Sequence, residues 1–224
     1  MRFRSGSLNV SQPAEFGRLT RTKSTSHQKL TSVDARIFIA IKEVSAQEAL
    51  NIANKITNTT MIKNEWEYYN PSGSINDEQE KWNARYKSTH YILDQISSSA
   101  KDYINKIAKP EKKVIFFAAY FKGIPIGVLQ FSLKNDDYPE LPIIDYLVTH
   151  CGIRNCGSLL IEYALNKSQQ LGMKGKLTLS SVPAAMPVYF NMGFTILDDG
   201  VYLQLNPTES NKWYSINGHY RFRG

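Results

Sequence analysis

The stretch Ala184-Ala185-Met186-Pro187-Val188-Tyr189-Phe190-Asn191-Met192-Gly193-Phe194 decides how this chain is read. Ala185 stands four residues before Tyr189, and Gly193 stands four after it. In a helix, residues four apart share a face, so a small residue and a phenol lie one above the other. Gly193 can take the left-handed conformation that ends helices, and Phe194 then opens a strand.

Upstream, Leu147 to Leu165 reads LVTHCGIRNCGSLLIEYAL. A strand at Ile143 to Thr149 gives way through a turn to an apolar helix at about 156 to 171. The short strand Leu177 to Ser180 links it to the tyrosine segment, and strands at Phe194 to Leu197 and Val201 to Leu205 follow. Nearer the start, Ile37, Phe38, Ile39 and Ile41 suggest a buried strand, and Ser45-Ala-Gln-Glu48 forms a capping box. Ala49, Ile52, Ala53 and Ile56 then give a helix one apolar face. Asn58 to Asp77 breaks the pattern around the turn Asn70-Pro71-Ser72-Gly73. Residues 77 to 108 suggest two helical segments interrupted at serines 97 to 99 and ended by Pro110. Val114 to Phe121 and Ile124 to Leu133 form a hairpin across Lys122-Gly123.

The chain has 224 residues and 42% hydrophobic content, enough for one domain with a sizeable core. Of its formal charge of +7, a surplus of 5 lies in residues 1 to 31, so a basic face on the folded domain is not indicated. Three regions follow: a basic, Ser/Thr-rich segment at 1–32 that reads as flexible, a folded domain at 33–206, and an aromatic and basic C-terminal tail at 207–224. The first resembles a solvated tail, and in composition also an organelle transit peptide or a bacterial secretion leader, without the apolar core of a Sec signal. The longest apolar run, at 114 to 121, is too short to span a membrane, so a soluble, cytoplasmic protein is the default. Cys151 and Cys156, beside His150, are too few for structural zinc, and no metal is expected. Two cysteines give no disulfide framework.

The Ala185, Tyr189, Gly193, Phe194 spacing resembles the A-x-x-x-Y-x-x-x-G-F segment of the GNAT superfamily of N-acetyltransferases. The resemblance covers about residues 33 to 205, with its specific motifs between 147 and 194. It implies an α/β (α+β) fold, a mixed, mostly antiparallel sheet with helices on both faces. It also implies acetyl-CoA as cosubstrate and an amine acceptor, which attacks the thioester directly in a ternary complex. Backbone groups of Leu147, Val148 and Thr149 would hold the thioester carbonyl. A pyrophosphate loop of form Q/R-x-x-G-x-G/A would fall on Arg154, Asn155, Cys156, Gly157 and Ser158, since helix N-termini attract anions. Two alignments compete. One uses Arg154 and Gly157, with Leu159 where Gly or Ala is usual; the other uses Gly152, Asn155 and Gly157.

Tyr189 would serve as general acid toward the departing thiolate. Val182 stands where the family often has Asn, and Ser181 is its substitute on the cofactor arm. Asp145 and His150 are the candidate bases, with Glu140 a third, and a water chain is the alternative. Trp66, Tyr68 and Tyr69 would wall the acceptor pocket. The acceptor is the primary amine of a small molecule, a protein or an aminoacyl-tRNA, and a secreted effector or toxin acetylating protein or aminoacyl-tRNA is an alternative version. The competing class is a GNAT-like binding module without catalysis.

Overall fold

Lys122 and Gly123 both adopt positive φ, 48° and 82°, the signature of a two-residue type I′ turn. That turn joins β2 (Val114–Phe121) to β3 (Ile124–Ser132), two interior strands of the sheet. The computed structural model describes residues 38–68, 75–107, 113–134, 136–153 and 155–224. The expected flexible segment 1–32, Ile37, the turn at 70–73, Pro110, Tyr69 and Arg154 lie outside them.

β2 and β3 carry consecutive buried residues, such as Phe116, Phe117, Ala118 and Ala119, so both faces of the sheet need cover. One cover is the pair α1 (Ala46–Lys55) and α3 (Asp77–Ile104), which pack on each other and on the sheet. The other is α4 (Cys156–Gln170), which lies along β1 to β5. α1 starts at the expected capping box: Ser45 Oγ accepts from the Glu48 amide, and the Glu48 carboxylate accepts from the Ser45 amide. After it the backbone widens into a π-helical turn, Ile56–Thr60, closed by Met61 N donating to Ile56 O. The four-residue α2 (Lys63–Trp66) follows.

α3 is one continuous helix, where the sequence suggested two. Ser97, Ser98 and Ser99 lie off its buried stripe, which runs through Leu93, Ile96 and Ala100, so the serines cost only their modest helix propensity.

Seven strands pair in the order β1-β2-β3-β4-β5-β7-β6, with β1 (Ile39–Val44), β4 (Ile143–Thr149), β5 (Leu177–Ser180), β6 (Thr195–Ile196) and β7 (Tyr202–Leu205). Every pairing is antiparallel except β4 with β5. This is the mixed, mostly antiparallel sheet with helices on both faces that the family resemblance implies. β1 is an edge strand and buries only Ile41, not the continuous run expected from its isoleucines.

The C-terminal tail is a second, two-stranded sheet. β8 (Trp213–Ile216) pairs with β9 (His219–Phe222) across Asn217-Gly218, again with both φ positive. It docks on α4 and buries Trp213 and Tyr220. α5 (Met186–Asn191) holds the tyrosine, and Gly193 takes the left-handed conformation at φ 88°.

Candidate active site

β4 and β5 run parallel but pair at only two positions, Ile143 with Thr178 and Ile144 with Leu179. β5 then ends at Ser180 while β4 continues to Thr149, so the last residues of β4 extend past the end of β5. No described strand pairs with that edge of β4 beyond Ile144. Ligands in mixed and parallel sheets bind at such carboxyl ends of strands.

A β-bulge sets what the edge presents. Gln130 faces Tyr146 and Phe131 faces Ile144, which leaves Asp145 as the extra residue. Before the bulge, Pro142 O accepts from Thr178 N, so even-numbered positions address β5. After it, His150 N donates to Ile126 O, so Tyr146, Val148 and His150 address β3. By alternation the backbone groups of Leu147 and Thr149 turn to the open edge. Val148 is buried at 3% exposure and does not share that orientation.

The turn after β4 leads to the N-terminus of α4. Asn155 is its N-cap in the left-handed region, at φ 63°, and Ser158 Oγ donates to Asn155 O. Among the described residues no side chain caps the helix, which leaves its first amides to other partners. Cys156 is fully buried, and burial pushes its thiol up to about 12; it offers backbone, not sulfur. A Cβ on Gly157 would meet only Leu147 Cδ2, at 4.0 Å. The absent side chain is thus not required for packing, and this first turn of α4 lies near the Leu147 side chain of β4. Leu159 is 8% exposed and belongs to the core, so it does not crowd this surface. Arg154, the charge expected here, lies outside the described residues.

Tyr189 is half-buried on α5, with its ring edge-on to Phe194 at 5.5 Å. Burial pushes its hydroxyl up to about 12. Ser181, just past β5, donates its hydroxyl to Val182 O, and Val182 itself is exposed.

The two candidate bases are placed differently from expectation. Asp145 Oδ2 accepts from Ser132 Oγ and, at 3.3 Å, from Gln130 Nε2, which ties the bulge to β3. His150 is 1% exposed beneath the turn, edge-on to Trp66 with ring centroids 4.2 Å apart. Its Nδ1 accepts from Gly152 N, and burial pushes the ring down to about 4. The nearby Thr60 backbone opposes this shift but closes no hydrogen bond of ordinary geometry to Nε2. His150 is therefore a buried structural ring and does not reach a cleft as a base. Glu140 is exposed on the loop before β4.

Trp66, expected on a pocket wall, is 1% exposed and fills the core between His150 and Trp82. Its ring would collide with a Cβ on Gly152, at 2.7 Å. Tyr68 is half-buried, its backbone held from both sides by the Asn83 amide, and Tyr69 is outside the described residues. On this side of the molecule lies a hollow of about 600 Å³ that sequence reasoning missed, lined by Thr57, Asn58, Glu67, Tyr86, His90 and Asp94. Its walls come from the π-helical turn, the segment after α2 and α3, which no local motif connects. Among the described residues no group of His, Cys, Asp and Glu could hold a metal, and no helix is long and apolar enough to cross a membrane.

No protein-family model matches the chain, and no curated protein matches it. Solved structures of similar shape include the PaiA N-acetyltransferase of Thermoplasma acidophilum in complex with coenzyme A. It is 13% identical, with 75% of this chain and 98% of that one covered and a TM-score of 0.44. An N-acetyltransferase from Staphylococcus aureus is 17% identical over 75% of this chain and 97% of that one, with a TM-score of 0.41. An acetyltransferase from Thermus thermophilus is 12% identical over 75% and 96%, with a TM-score of 0.43.

Proposed function

We propose that this chain is an acyl-CoA-dependent N-acyltransferase of the GNAT type, moving an acetyl group from acetyl-CoA to a primary amine. The observation that carries the reading is the edge of β4 that runs on past its two pairs with β5, with no described strand on it. The backbone groups of Leu147 and Thr149 turn to this edge, and Gly157 opens the α4 N-terminus near the Leu147 side chain.

The fit to the cosubstrate rests on two features. The α4 N-terminus offers amides and a positive dipole end to a pyrophosphate. Asn155 holds the left-handed conformation that a glycine would otherwise supply in the middle of the loop. This favours the alignment through Gly152, Asn155 and Gly157 over the one that places Leu159 on the phosphate surface.

In the reaction the amine nitrogen bonds to the thioester carbonyl carbon and the carbon–sulfur bond breaks. Amides of the β4 edge stabilise the oxyanion, because they are already oriented before charge develops. The leaving thiolate takes a hydrogen bond from Tyr189. With its hydroxyl raised to about 12, Tyr189 stays protonated at neutral pH and is a stronger holder of its proton than a free thiol, near 8.5. Its role is thus donation to the thiolate, with full transfer only where burial raises the thiol as well. The acceptor ammonium gives a proton to water before it attacks as the free amine, since Asp145 is engaged by Ser132 and Gln130 and His150 is buried.

The direct experiment is to incubate the protein with acetyl-CoA and a panel of small amines, lysine peptides and aminoacyl-tRNA, and to follow free thiol. Thiol release dependent on one acceptor supports the reading and names the acceptor. Binding of acetyl-CoA with no release on any acceptor favours a binding module without catalysis.

A further inference from the structure

α5, which carries Tyr189, has six residues and buries none of them fully. A helix this short has no stability of its own, so its orientation must come from outside. On the C-terminal side Trp213 Nε1 donates to Met192 O at 2.7 Å, at the residue that caps α5. The lead-in to the hairpin presses on the next residue: a Cβ on Gly193 would stand 2.1 Å from Ser210 Oγ.

The other end of the hairpin is fixed to α4. Asn166 bonds both backbone groups of Tyr220, accepting from its N at 2.7 Å and donating to its O at 3.0 Å. One turn earlier Glu162, 2% exposed, accepts from Arg221 and from Phe222 N. The rings of Trp213 and Phe222, 5.1 Å apart, tie the two ends together.

We propose that the β8–β9 hairpin is a brace between the two ends of the acyl-CoA cleft, and that Trp213 is a positioning residue acting on Tyr189 through the Met192 carbonyl. This rests on the acyltransferase reading above. α4 is anchored by its buried face and supplies the anion end; the hairpin carries that anchorage to α5 at the thiolate end. The C-terminal aromatics therefore serve the site without touching substrate.

The test is a double-mutant cycle on the full chain with Trp213→Phe and Tyr189→Phe. Trp213→Phe should lower kcat about three- to tenfold, the worth of one hydrogen bond, with KM for acetyl-CoA unchanged. In the Tyr189→Phe background it should add almost nothing, because the group it positions is gone. Equal losses in both backgrounds would overturn the proposal. Replacing Trp213 by benzothienylalanine, which keeps the fused ring and lacks the N–H, repeats the test without opening a cavity. Hydrogen exchange gives a readout independent of turnover. The Met192 and Phe194 amides, both bonded to Tyr189 O, should exchange about tenfold faster in either Trp213 variant while α4 stays protected. Unchanged exchange also overturns the brace, whereas a wild-type chain that releases no thiol overturns only the acyltransferase reading.

Discussion

The ring of His150 stands edge-on to that of Trp66, planes 89° apart, and is buried away from water. Folding holds the imidazole neutral to about pH 4, whereas in the unfolded chain it titrates near 6.5. Between these values the unfolded state binds the extra proton, so this group makes stability fall as pH falls. The slope is at most about 1.4 kcal/mol per pH unit. Urea midpoints at pH 7.5, 5.5 and 4.5 should decline, and His150→Gln should flatten the decline while lowering stability at pH 7.5. An equal decline in the variant would show that His150 does not set this pH dependence.

Gly157 separates folding from binding. A Cβ there meets nothing closer than 4.0 Å, so Gly157→Ala should leave stability unchanged or raise it by up to about 1 kcal/mol. The same methyl group should hold a pyrophosphate off the backbone and raise KM for acetyl-CoA. Thermal unfolding and steady-state kinetics on one sample check both signs. A variant with unchanged KM would move the phosphates elsewhere.

Tyr189→Phe should lower kcat about 10- to 100-fold, the worth of a hydrogen bond to a charged sulfur, with acetyl-CoA affinity nearly intact. Because the hydroxyl is raised to about 12, wild-type kcat should show no loss below about pH 11 that the variant lacks. A tyrosine-dependent alkaline limb near pH 9 would mean that the phenol is not buried in the complex.

Glu162→Ala removes the acceptor of both Arg221 and the Phe222 amide. The cost should be about 2 kcal/mol, a drop in Tm of roughly 4 to 8 °C for a chain of this size. A shift under about 1 °C would show that the hairpin is not docked through this carboxylate.

Much of the fold could be read locally. The Ser45–Glu48 box, the Lys122-Gly123 turn, the Leu177–Ser180 strand and the left-handed Gly193 each follow from chemistry within a few residues. What could not be read depends on distant partners. The bulge at Asp145 exists only in register with Gln130 and Phe131, yet it decides that Leu147 and Thr149, and not Val148, address the cleft. His150 looks available as a base until Trp66, far away in sequence, covers it. That the aromatic C-terminal tail adds strands and docks is legible in sequence, but where it docks is set by Glu162 and Asn166 on α4, which accept its backbone amides. Serines 97 to 99 suggest a break because composition alone does not tell which face of α3 they occupy.

The most direct measurement is titration of acetyl-CoA into isotopically labelled full-length protein, followed through backbone amide shifts. An acyl-CoA cleft between β4 and β5 predicts saturable shifts concentrated at Leu147, Thr149 and residues 155 to 158, with smaller ones along α5. No shift at saturating acetyl-CoA, or shifts confined to the hollow around Tyr86 and His90, would contradict it.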